Sequence, residues 1–125
     1  MSTSQARVAD YEHIYRSIHS IHWVTDESRV SSAAFKNKLG VSVDVEHGRS
    51  QAECISTLAA RFPSQAAVIR LSVSFCRSIL LEVEYAHEVG NPHHAHLLND
   101  DRSVNLPSSK IKKLRDLDFL VLRPA

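Results

Sequence analysis

Apolar positions recur along this chain with two different periods, and the switches between them set the expected order of elements. Val8, Tyr11, Tyr15 and Ile18 fall at helical spacing, so residues 4–20 read as an amphipathic helix. Ile21-His22-Trp23-Val24 reads as a short strand, and 31–36 as a further extended piece. From 41 to 46 the period is two, with Val41, Val43 and Val45 on one face and Ser42, Asp44 and Glu46 on the other. Ser50 and Glu53 then form an S-x-x-E capping box. Ile55, Leu58, Ala59 and Phe62 follow at core spacing, and Pro63 supplies a stop.

Alternation returns at Ala67, Ile69, Leu71, Val73 and Phe75, and again at Leu81, Val83 and Tyr85. Residues 93–98 read as a strand entered through the Gly90-Asn91-Pro92 turn. Ser108 or Ser109 is placed to cap a last helix carrying Ile111, Leu114 and Leu117, and 119–122 either finish that helix or form a terminal strand. The links between strands are short, which favours antiparallel pairing. The expected fold is therefore α+β: one domain over 1–125, with two or three helices packed on a small, mainly antiparallel sheet.

Composition narrows the function classes. With 125 residues, 43% of them hydrophobic and 23% charged, the chain has an ordinary globular balance and room for one modest core. A formal net charge of +1 gives no global field for nucleic acid or anionic membrane. No apolar run approaches the roughly 18 residues of a membrane span, and the polar 1–10 stretch lacks a signal-peptide core, so a cytoplasmic protein is expected. Cys54 and Cys76 read as buried free thiols. Lys110, Lys112, Lys113 and Arg115 read as the exposed face of the last helix.

Candidate chemistry rests on histidine, of which the chain has 8. His93, His94 and His96 fall within four positions, and extended backbone puts His94 and His96 on one face. Such a pair suits acid–base work or metal ligation, while a polar strand edge with one buried histidine is the plainer alternative. A catalytic metal would need a third ligand, from His22, His87 or Asp44, but none stands at a recognisable spacing. No metal and no cofactor is therefore expected. Asp44 is either part of a solvated face or a carboxylate that orients a histidine. Arg29-Val30-Ser31-Ser32 offers a guanidinium, two hydroxyls and backbone N–H groups to an anion, or else forms a plain turn. With glycine only at 40, 48 and 90, a Gly-rich phosphate loop is excluded. The histidine stretch resembles that of the histidine-triad nucleotide hydrolases, but Leu98 stands where a third alternating histidine belongs.

Four segments together carry a further resemblance: His22-Trp23-Val24, Arg29-Val30-Ser31-Ser32-Ala33-Ala34-Phe35, Gly40-Val41-Ser42-Val43-Asp44 and His96-Leu97. Their order resembles that of a group of small bacterial proteins with R-P-S-S-x-x-F, then S-V-D, then P-x-H-A, a group without an established activity. The resemblance spans about 21–98. This chain departs from it at Val30, which stands for the proline, and His94-Ala95 is the closer match to the H-A element. The resemblance implies that Arg29, Ser31, Ser32, Ser42, Asp44 and His94 share one site.

Two functions follow as expectations. The first is a bacterial cytoplasmic protein whose pocket binds or processes a phosphorylated ligand, such as a nucleotide or an RNA end. His94, His96 and Asp44 would then carry chemistry, while Arg29, Ser31, Ser32, Ser42 and His22 would hold the ligand. The second is a non-enzymatic module that binds a protein partner, within a bacterial defence or toxin operon. Homodimerisation stays open under both, and neither involves a membrane.

Overall fold

The structure is a computed structural model, and it describes residues 7–27, 29–37, 40–86, 88–115 and 120–122. Six of its strands form one sheet: β1 (His13–His19), β4 (Val41–Val45), β5 (Gln65–Ser72), β6 (Leu81–Tyr85), β7 (His94–Asn99) and β8 (Leu120–Leu122). A separate two-stranded ribbon pairs β2 (Trp23–Val24) with β3 (Arg29–Val30). The helices are α1 (Gln51–Arg61), α2 (Val73–Ser78) and α3 (Ser108–Leu114). The sheet order is β6-β7-β4-β1-β5-β8, and every neighbouring pair runs antiparallel. This is the small, mainly antiparallel α+β fold that the hydrophobic pattern predicts.

Each face of the sheet is covered by different elements. On one side Val41, Val43 and Val45 meet Ile14, Ile18, Ile69 and Leu71, together with Phe35, Ile111 and Leu114. On the other, Tyr15 and Val68 pack under Cys54 and Leu58 of α1. The capping box that starts α1 is present in both halves, Glu53 N–H to Ser50 Oγ and Ser50 N–H to the Glu53 carboxylate, each at 3.1 Å. Cys54 and Cys76 are buried and unpaired with each other, as expected, and burial pushes the Cys76 thiol up to about 12. No described helix is long and apolar enough to cross a membrane.

Four expected elements are corrected. The helix over 4–20 is a strand at 13–19, with residues 4–6 outside the described set. Tyr11, Tyr15 and Ile18 mimic helical spacing because β1 is central and buried on two faces, Ile14 and Ile18 to one side and Tyr15 to the other, while Tyr11 is exposed. The strand over 67–75 ends at Ser72, whose Oγ accepts from Phe75 N–H at 2.8 Å and caps α2 instead. Residues 32–35 form a 3-10 turn rather than extended chain. Neither Ser108 nor Ser109 caps α3: Pro107 holds that position and makes no side-chain cap bond.

Candidate functional site

The ladder between β1 and β4 contains two residue pairs, Ile14 with Val45 and Tyr15 with Asp44, whereas β1 and β5 stay paired over seven. Beyond Tyr15 the seam is filled by Arg16. Its Nη1 donates to the Ser42 carbonyl at 2.6 Å and its Nε to the Ala34 carbonyl at 2.9 Å. Glu46 N–H bonds the His13 carbonyl, so by the two-residue alternation of a strand the Ser42 carbonyl also turns toward β1. Arg16 thus takes the acceptor that a continued ladder would have used. Burial lowers its pKa to about 10, and no carboxylate offsets that effect among the described residues.

Arg16 opens on a cleft of about 540 Å³ between the sheet and the C-terminal end of α1. Ser42, Asp44, His22 and His94 line it with Arg16 and Arg61. Its charges are not balanced in pairs. The buried Asp44 carboxylate accepts from Asn91 Nδ2 at 3.0 Å and from Arg61 Nη1 at 3.4 Å, which commits Arg61. Among the described residues, Arg16 donates only to backbone carbonyls. Burial, then the nearby Arg16 and His19, hold His22 below its ordinary pKa, so this end of the cleft resists further positive charge and favours an anion.

His94 stands at the opposite wall and is 5% exposed. Its Nδ1 bonds the Ala86 carbonyl, which can only accept, so Nδ1 carries the proton in the neutral ring. Nε2 then bears the lone pair. It is buried, lies 3.7 Å from a Glu88 carboxylate oxygen and makes no hydrogen bond among the described residues. A second cavity of about 510 Å³, lined by Gly40 and His96, shares Asn37, Ser42, Glu88 and His94 with the first. The His94 and His96 rings meet edge to face at 5.1 Å, and burial, with His94, lowers the His96 pKa.

The expected residues divide. His22, Ser42, Asp44 and His94 line the larger cleft, and His96 lines the smaller. Arg29, Ser31 and Ser32 line neither cavity. Arg29 pairs with Glu27 at 2.9 Å, Ser31 Oγ caps the 3-10 turn through Ala33 N–H, and Ser32 Oγ accepts from Arg115. The arginine–serine motif builds the loop that lies over Arg16, whose Nε it engages through the Ala34 carbonyl. Asp44 neither faces solvent nor bonds a histidine ring; it holds Asn91 and Arg61. His87, once a candidate metal ligand, lies outside the described residues. Among those described, no group of three or more His, Cys, Asp or Glu side chains is arranged to hold a metal ion.

Arg16, Arg61, Asn91 and Glu88 are the functional candidates that the sequence pattern missed. Reading 13–19 as a strand would have exposed Arg16, a lone cation between Ile14 and Ile18 on an apolar face. Compared with known proteins, the chain matches no family model, no curated protein and no solved structure.

Proposed function

We propose that this chain binds a phosphorylated ligand in the cleft over Arg16, and that His94 can act on it. The observation that carries the reading is Arg16: a partly buried guanidinium held by two carbonyls, with no carboxylate among the described residues to neutralise it, opening on a cavity of small-molecule size. A cation drawn partly out of water without a counter-charge is costly, and an anion that enters from solvent relieves that cost. Phosphate suits a guanidinium because it accepts two parallel charge-assisted hydrogen bonds. His22 and Ser42 add donors around the same position.

His94 Nε2 supplies the chemistry. With a lone pair that no described residue hydrogen-bonds and the Glu88 carboxylate 3.7 Å away, it can take a proton from a hydroxyl or water and return it to a leaving oxygen, as general acid–base catalysis requires. Asp44, through Arg61 and Asn91, positions the anionic wall rather than touching the ring. His96 sits behind His94 as a neighbouring imidazole. As part of the same proposal, the protein is bacterial, on the motif order, and cytoplasmic, on two cysteines that stay free thiols.

Titration calorimetry with inorganic phosphate and with a phosphate monoester tests the binding. Saturable, salt-sensitive binding that Arg16→Met abolishes is the expected result. Release of phosphate from a monoester, lost in His94→Gln while binding persists, tests the processing. If neither compound binds the wild-type protein, the anion reading fails and the module that binds a protein partner takes its place.

A further inference from the structure

We infer that the cleft recognises the aromatic base of its ligand as well as its phosphate, with Phe62 as the stacking platform and the Gln65 amide reading the base edge. The inference rests on the anion reading above and names the ligand class: a nucleoside monophosphate.

Three observations carry it. The first is size. A phosphate ion displaces only a few waters, each about 30 Å³, so it fills a small part of a 540 Å³ cavity. The rest leaves room for a larger group attached to the phosphate.

The second is Phe62, which lines that cavity and is 44% exposed. It is the C-cap of α1, and its backbone is fixed at both ends: its N–H bonds the Leu58 carbonyl at 2.8 Å, and its own carbonyl accepts from Gln65 N–H at 3.0 Å. An aromatic ring carried on a fixed backbone beside a cationic floor is what base stacking uses, and every nucleobase offers a face to it. Pro63 and Leu58 continue the apolar wall, so the cleft has a polar floor and an apolar side.

The third is Gln65. Its Oε1 is buried, lines the same cleft and has no hydrogen-bond partner among the described residues. Buried polar atoms are almost always paired, so an unpaired amide oxygen in a cavity wall calls for a donor from the occupant. Nucleobases carry amino and ring N–H donors on their edges, and a glutamine amide pairs with them readily.

The experiment compares adenosine 5′-monophosphate, ribose 5-phosphate and inorganic phosphate by calorimetry against the full chain and three variants. The wild type should bind the nucleotide about tenfold or more tightly than ribose 5-phosphate. Phe62→Ala should close that gap while leaving inorganic phosphate binding unchanged, and Phe62→Trp should keep it. Gln65→Ala should narrow it, and circular dichroism checks that each variant is folded. Equal affinity of the wild type for the nucleotide and ribose 5-phosphate overturns base recognition and leaves the anion reading intact. A gap that survives Phe62→Ala overturns the assignment to Phe62. If none of the three compounds binds, the anion reading itself is refuted and this inference falls with it.

Discussion

Replacing Arg16 by methionine separates the cost of holding a cation inside this fold from the use the cation serves. Burial lowers the Arg16 pKa from 12.5 to about 10, which corresponds to on the order of 3 kcal/mol by which the folded protein disfavours the charge. Methionine removes that penalty and keeps an unbranched apolar stem in the seam between β1 and β4. It also strands the carbonyls of Ser42 and Ala34, which now accept at 2.6 and 2.9 Å. Each stranded acceptor costs about 1–3 kcal/mol, or roughly 2–6 for the pair. The net change in unfolding free energy should therefore lie between about 1 kcal/mol stabilising and about 3 kcal/mol destabilising. Phosphate binding should respond differently, because a charge-assisted hydrogen bond to the ligand contributes about 1.5–3 kcal/mol, or roughly 10- to 150-fold in affinity. Urea melts give the first quantity and calorimetry the second. A loss of stability well above about 4 kcal/mol would make Arg16 a structural keystone. Unchanged phosphate affinity in a folded Arg16→Met protein would remove the guanidinium from the site altogether.

Other outcomes follow from the same structure. Leu58→Ala and Ile69→Ala, at 3% and 1% exposure, should each cost roughly 2–5 kcal/mol in urea melts, whereas Arg29→Ala should leave the melting midpoint close to wild type, since its partner Glu27 is exposed. Gly40 has φ +108°, and a Cβ there would lie 3.2 Å from the His96 ring, so Gly40→Ala should cost roughly 1–3 kcal/mol and move the His96 ring resonances in a proton–nitrogen spectrum. Burial holds His22, His93 and His96 below their ordinary pKa, so the unfolded chain takes up protons first as pH falls. Stability present above about pH 6.5 should then be lost as pH drops from there toward the folded values, and thermal melts at stepped pH should show the midpoint falling over that window. His93→Gln should flatten the slope, because Nδ1 of His93 meets Nδ1 of His47 at 2.6 Å and the two atoms share one proton at most.

The parts of this fold that were legible are those where local and tertiary signals agree. At β4 the valines point to one side and are buried as the two-residue period predicts, although Asp44 on the other side is buried too. At α1 the Ser50–Glu53 box is complete within four residues, so nothing distant had to be known. The same holds for β6 and for the strand of His94 and His96. What was illegible is what the sheet order decides. Nothing local to 13–19 says that this segment will lie at the centre of six strands, and burial on both faces erases the two-residue period that would have announced it. Ser31 and Ser32 read equally as anion ligands and as turn residues, because a hydroxyl that can hold phosphate can also cap a 3-10 turn; the choice fell to Ala33 N–H and Arg115.

The candidate site follows the same logic. Its histidines stood out because three of them crowd into four positions, but its cations did not, because an arginine's role depends on what surrounds it. Arg61 at the end of α1 and Arg16 inside β1 look like ordinary exposed charges until the fold places one 3.4 Å from a buried carboxylate and the other against two carbonyls. That difference decides which of them is available. Arg61 is held by Asp44, and Asp44 by Asn91, so that chain of partners is closed before any ligand arrives. Arg16 has accepted two neutral partners and keeps its charge uncompensated among the described residues. Elsewhere in the cleft wall, His94 donates its Nδ1–H to the Ala86 carbonyl and keeps the lone pair of Nε2. Among the described residues, an unneutralised cation and an imidazole nitrogen without a hydrogen bond are two of the groups left unsatisfied along one cavity. A phosphate carrying a transferable proton nearby is the simplest chemistry that satisfies both.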